Sequence, residues 1–145
     1  MCIFQSKFDK QKTLFSAIIK ALPNDFAEIK SQTLSGWLYG LDKWDLFPEY
    51  KFTTMGYGGE KVFQYKKRGK NYKISGIQIF SNVTNKFEDI EILIKDNLVS
   101  GLKITNSHYQ LKEFDINKIT IENINKSDFI FPPDSVEIFY NKLDK

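Results

Sequence analysis

Tyr72-Lys-Ile-Ser-Gly-Ile-Gln-Ile-Phe80, Ile90-Glu-Ile-Leu-Ile-Lys95 and Leu98-Val-Ser-Gly-Leu-Lys-Ile104 alternate more cleanly than the rest of the chain. Successive strand side chains point to opposite faces, so a period of two marks a sheet with one buried face. Ile90, Ile92 and Ile94 share a parity, with Glu91 and Lys95 on the other. Asp96-Asn97 then supplies a two-residue turn, because both residue types tolerate positive φ. Across that turn, Leu98, Ser100, Leu102 and Ile104 are expected on one face, with Lys103 opposite. In the first strand the parity flips at Ser75-Gly76. A β-bulge there would let Tyr72, Ile74, Ile77 and Ile79 all face the core, and glycine is the usual bulge residue.

Outward from this sheet, the spacing of Leu14, Phe15, Ile18, Ile19 and Leu22 predicts one apolar stripe on a helix from Asp9 to Leu22. Pro23 ends it. A short second helix is expected over Asp25 to Gln32. Strands are expected over Leu34 to Leu41, with Trp37 and Tyr39 in the core, and over Tyr50 to Met55. Gly56-Tyr-Gly-Gly59 reads as a flexible turn into a strand over Val62 to Tyr65. Ile119 to Ile121 reads as one more strand. Phe129-Ile-Phe-Pro-Pro133 reads as an extended segment lying on the core. Asp134 and Glu137 have capping-box spacing, which predicts a short C-terminal helix over Ser135 to Leu143. The expected fold is α+β: one domain over 1–145, with a mainly antiparallel sheet of five to seven strands. An N-terminal amphipathic helix and a short C-terminal helix complete it.

At 145 residues, such a chain can bury about two thirds of its unfolded-state surface. Thirteen Phe set it apart from a disordered composition. No apolar run reaches the roughly 18 residues of a transmembrane helix. The start lacks the order of a secretory signal, and Cys2 stands where myristoylation needs glycine. A lone cysteine forms no internal disulfide, which fits a reducing compartment. The expectation is a cytoplasmic protein with no membrane partner.

The net charge of +3 is almost wholly lysine, with Arg68 the one arginine. Nucleic-acid readers lean on arginine, whose planar fork grips phosphate and guanine. Lys66, Lys67, Arg68, Lys70 and Lys73, interleaved with Phe63, Tyr65 and Tyr72, form the best basic-aromatic cluster. A stacking platform for single strands would use such residues. A solvated hairpin tip explains them too, and no nucleic-acid partner is expected.

Catalytic material is sparse. Cys2 and His108 are single copies of their types, and neither lies in a nucleophile motif. Two such ligands do not make a zinc site. Glu88, Asp89 and Glu91 crowd one strand, but Glu91 alternates with buried isoleucines and should face solvent. Gly56 to Lys61 superficially resembles a phosphate loop, yet a strand is expected where the cradle needs a helix N-terminus. No catalytic residue, metal or cofactor is assigned, and the chain is read as a non-enzyme. Trp44, Phe47, Tyr50 and Tyr57 cluster among Asp, Lys, Glu and Gly between the early strands. Aromatic residues on loops are frequent interface anchors, so these four are the expected partner-binding residues, with Trp44 and Tyr57 at least partly exposed.

The plan of N-terminal helix, antiparallel meander through Asp96-Asn-Leu-Val-Ser-Gly-Leu-Lys-Ile104 and C-terminal helix resembles small immunity proteins of bacterial toxin systems. The resemblance implies a compact cytoplasmic domain that binds and neutralises a cognate toxin. The mildly basic charge departs from the acidic character common in immunity proteins against nucleases. The plan is also similar to a cystatin-like or nuclear-transport-factor-like cone, which would imply a small-molecule site or an enzyme. An apolar, closed sheet concavity with a few convergent polar groups would favour the cone, and a filled core with an exposed aromatic and charged surface would favour the binding protein.

Overall fold

The computed structural model describes residues 13–39, 53–54, 56–104 and 114–130. In chain order these are helix α1 (13–20), a 3-10 turn (Asn24–Phe26) and helix α2 (Ala27–Ser35), then strands β1 (Trp37–Tyr39), β2 (Thr53–Thr54) and β3 (Gly56–Gly58). The one-turn helix α3 (Glu60–Phe63) is followed by β4 (Tyr72–Ser81), β5 (Lys86–Lys95), β6 (Leu98–Ile104) and β7 (Phe114–Asp128). The architecture is α+β and its strand pairs are antiparallel. The strands divide into a main sheet of order β2-β6-β5-β4-β7 and a separate β1-β3 pair.

The main sheet grows from the quoted stretch. Ile74 pairs with Ile92 and Ile77 with Ile90, so Ser75 and Gly76 together face Glu91. That is the expected bulge, and Gly76 sits at φ +93. Tyr72, Ile74, Ile77 and Ile79 are all buried, on the same side as Ile90, Ile92 and Ile94. The Asp96-Asn97 turn has both residues at positive φ, as a type I′ hairpin requires. Its continuation differs from the expectation. Leu93 pairs with Gly101 but Ile94 pairs with Val99, leaving Ser100 unopposed. This second bulge turns Val99 inward beside Leu102, while Ser100 is only half-buried and its hydroxyl donates to the Leu98 carbonyl.

The stripe of α1 closes the core. Leu14, Phe15, Ile18, Ile19 and Leu22 are buried in one cluster with the inward isoleucines of β4 and β5. Pro23 follows in extended conformation, where its missing N–H costs no helical bond.

Three expectations are corrected here. The segment Val62 to Tyr65 is not a strand. Gly59, at φ +125, reverses the chain into α3, which buries Val62 alone of its four residues. The strand at Ile119 to Ile121 is only the middle of β7. β7 pairs with β4 in three pieces, stepping from Asn125 to Ile121 opposite Gly76 and from Ile119 to Asp115 opposite Phe80. Finally, Ile130 is 93% exposed rather than laid on the core. The expected C-terminal helix over Ser135 to Leu143 lies outside the described residues, as does Phe131 to Pro133.

Candidate interaction surface

Trp37 opens β1, where it pairs with Gly58 of β3. Side chains of directly paired residues share a face, so Trp37 and Gly58 lie on one side and Leu38 and Tyr57 on the other. Leu38 and Tyr57 are the buried pair. Trp37, expected in the core, is 61% exposed. Its indole lies across two glycines instead. A Cβ on Gly58 would stand 3.2 Å from Cε2 and Nε1, and one on Gly59 would stand 3.1 Å from Cζ3. Side chains at those positions would lift the ring, so the paired glycines make the seat. Gly36 seats the other side of the strand pair: its Cβ would fall 2.2 Å from the Gly58 carbonyl oxygen and 2.5 Å from Val62 Cγ2.

Two more apolar side chains stand outward on the elements around Trp37. Leu34, near the end of α2, is 78% exposed, and Phe63, at the end of α3, is 51% exposed. Leu34 lies three residues before Trp37. The Phe63 N–H donates to the carbonyl of Gly59, one of the glycines beneath the indole, at 3.1 Å. Single exposed apolar residues are ordinary, whereas an exposed tryptophan and phenylalanine on adjoining elements are residue types that interfaces favour.

A polar network holds this surface to the main sheet. Gln32 of α2 is fully buried. Its Nε2 donates to the Asn97 carbonyl at 3.0 Å and its Oε1 accepts from the Val99 N–H at 2.9 Å. The Asn97 side-chain amide donates to Glu28 Oε2 and to the Tyr65 carbonyl, each at 2.8 Å. Lys67 meets both oxygens of Glu28 at 3.2 Å. The Gly69 N–H donates to Asp96 Oδ1, and the Asp96 N–H to Asn71 Oδ1. α2, the 64–71 loop and the β5-β6 turn are thereby tied together. The bonds from Asn97 and then Lys67 hold the Glu28 carboxyl below its usual range. Burial pushes the Tyr57 hydroxyl up, opposed by the Ser16 hydroxyl 3.5 Å away.

Of the expected partner-binding residues, Tyr57 is corrected. It is 2% exposed, because the β1-β3 register points it inward with Leu38. Trp44, Phe47 and Tyr50 lie outside the described residues, as do Cys2 and His108. Lys66, Lys67, Arg68 and Lys70 are exposed as expected, but they join α3 to β4 rather than capping a hairpin. Glu91 is less open than expected. It is held 2.7 Å from Lys73, with Lys103 at 3.9 Å, in a cross-strand charge row. The glycine segment does run strand, glycines, helix, against the expected strand-to-strand turn. Its helix is a single turn, and the N–H groups of Val62 and Phe63 both bond to the Gly59 carbonyl, so they are not free to cradle an anion. Among the described residues no group of three His, Cys, Asp or Glu could hold a metal, and no helix is long and apolar enough to cross a membrane.

One sequence signal pointed to this surface. It is the glycine pair Gly58-Gly59, whose missing side chains leave room for a ring to lie flat on the backbone. No family model, curated protein or solved structure matches the chain.

Proposed function

We propose that this protein is a non-catalytic protein-binding module whose contact surface is centred on Trp37. The observation that carries the reading is the indole, 61% exposed yet seated on Gly58 and Gly59, with Leu34 and Phe63 also exposed on α2 and α3. A rigid aromatic needs little further ordering on binding, so it contributes affinity at low entropic cost. The filled core supports the same reading over the cone: the inward isoleucines of β4 and β5 are packed under α1 with at most 1% exposure. The finer reading is an immunity protein that neutralises a cognate toxin in the cytoplasm. It rests on the plan of helix and antiparallel meander.

The test is capture from the native host with the full chain and with Trp37→Ala and Phe63→Ala, each checked by a melting curve. Capture of a defined protein that both substitutions abolish, with folds intact, supports the module. Co-expression with the product of the neighbouring gene tests the immunity reading, since survival should depend on Trp37. A partner held equally well by Trp37→Ala would refute the placement of the surface.

A further inference from the structure

The Trp37 surface has a charged border, and the sign of that border constrains its partner. Lys61 lies on α3, two residues before Phe63. The Lys66 N–H donates to the Phe63 carbonyl at 3.1 Å, so the backbone of Lys66 follows that of Phe63 one turn on. Arg68 and Lys70 follow in the same loop. The loop is not loose: the Lys67 N–H donates to the Asp96 carbonyl, the Asn97 N–H to the Lys70 carbonyl, and Gly69 to the Asp96 carboxylate. Glu28 and Asp96 bond to this loop, Glu60 lies on the preceding α3, and Asp128 pairs with Tyr72 just beyond it. Glu28 is engaged by Lys67 and Asn97. Asp96 accepts the Gly69 N–H, and Glu60 is exposed on α3. Lys61, Lys66 and Arg68 form no ion pair among the described residues, and Lys70 acts on Glu28 only at longer range. An aromatic-apolar centre is thus bordered on the α3 side by exposed cations in excess of the acids there.

Resting on the protein-binding reading above, we infer that the surface takes an acidic amphipathic segment of a partner protein. Its apolar side chains would lie on Trp37, Phe63 and Leu34, and its carboxylates would face Lys61, Lys66, Arg68 and Lys70. Complementary charge of this kind speeds encounter and selects against basic partners. A single-stranded nucleic acid shares the negative charge. It is the weaker fit, because Leu34 offers no ring to stack on and a single arginine is available.

Three labelled probes test this on the full chain. One is a helical peptide with Leu at i, i+3, i+4 and i+7 and Glu at the exposed positions. The second replaces each Glu by Lys, and the third is an oligothymidine. The Glu/Leu peptide should bind about tenfold or more tighter than its Lys/Leu counterpart and weaken as salt is raised. Trp37→Ala and the double change Lys66→Glu, Arg68→Glu should each weaken it about tenfold. Lys86→Glu should not, since Lys86 lies at the opposite end of β5, roughly 30 Å from Asp96. The inference is overturned if the two peptides bind alike, if the Glu/Leu peptide fails to bind, or if Lys86→Glu weakens binding as much as the double change. Tighter binding of oligothymidine, lost on the same substitutions, assigns the surface to nucleic acid instead. If Trp37→Ala abolishes capture of the native partner while the double charge reversal leaves it unchanged, the protein-binding module stands and the acidic partner falls.

Discussion

Replacing Gly76 should damage this fold through backbone contacts that no rotamer can relieve. Gly76 has φ +93, a region that costs an L-residue about 1–2 kcal/mol. Its added Cβ would also stand 2.6 Å from the Asn123 carbonyl oxygen, 2.7 Å from Ile124 Cα and 2.8 Å from the Glu122 carbonyl oxygen. All three are backbone atoms of β7, so the strand itself must move. Overpacking of that kind costs a further ~1–3 kcal/mol. Gly76→Ala should therefore lose about 2–5 kcal/mol, a large share of the 5–15 kcal/mol typical of a domain. For a chain of this size that corresponds to a fall in thermal midpoint of roughly 5–20 °C.

Gly69 supplies the control. It too has positive φ, +82, but nothing lies within 4 Å of its Cβ position. Gly69→Ala should lose only the backbone part, about 1–2 kcal/mol. Urea unfolding of both variants beside the parent chain separates the two contributions, because the difference in midpoints reports the clash with β7 alone. If Gly76→Ala is no more destabilised than Gly69→Ala, the close approach of β7 to the bulge is wrong.

Gln32→Leu should cost about 2–6 kcal/mol in urea unfolding, since it leaves the Asn97 carbonyl and the Val99 N–H buried without partners at ~1–3 kcal/mol each; an unchanged midpoint would disprove the bridge. Glu28 has its carboxyl held below the usual 4.5, so its contribution is present above that value and is lost as pH falls through the lowered one. Stability measured from neutral pH to below 4.5 should accordingly fall less for Glu28→Gln than for the parent chain. Tyr57→Ala should destabilise by about 3–5 kcal/mol, whereas Trp37→Ala should leave the urea midpoint within about 0.5 kcal/mol of the parent; the reverse ranking would invert the β1-β3 register.

The meander from Tyr72 to Ile104 was legible, apart from the bulge at Ser100, because three signals agree there: alternation over many residues, a turn pair that accepts positive φ, and a glycine where the parity flips. β7 was mostly illegible for the opposite reason. It is an edge strand whose residues are chiefly exposed, so little apolar alternation marks it, and its two irregular steps break what remains. Those steps and Lys118 and Lys126 also blunt the edge against pairing with another chain. Lys126 in addition lies over the Tyr72 ring at 4.9 Å and the Phe26 ring at 5.4 Å. The Gln32 bridge was beyond a local reading altogether, because its partners lie 65 and 67 residues away.

The misreadings at the proposed contact surface fall together on β1, β3 and α3. In Trp37-Leu-Tyr39 two aromatic residues outnumber one leucine, and a three-residue strand is too short for parity to be checked against its own continuation. What decides the face is the partner strand, where Gly56 and Gly58 alternate with Tyr57. Glycine leaves room on its own side for a ring from across the pair, so the indole is accommodated above Gly58 and the core receives Leu38 and Tyr57. The next glycine hid α3, since Gly59 permits a turn that the β-favouring residues Val62 and Phe63 would not announce. Local rules fail most often where a protein trades regular structure for a surface it uses. Here they fail at the residues that turn Trp37 and Phe63 outward, on the face proposed for contact.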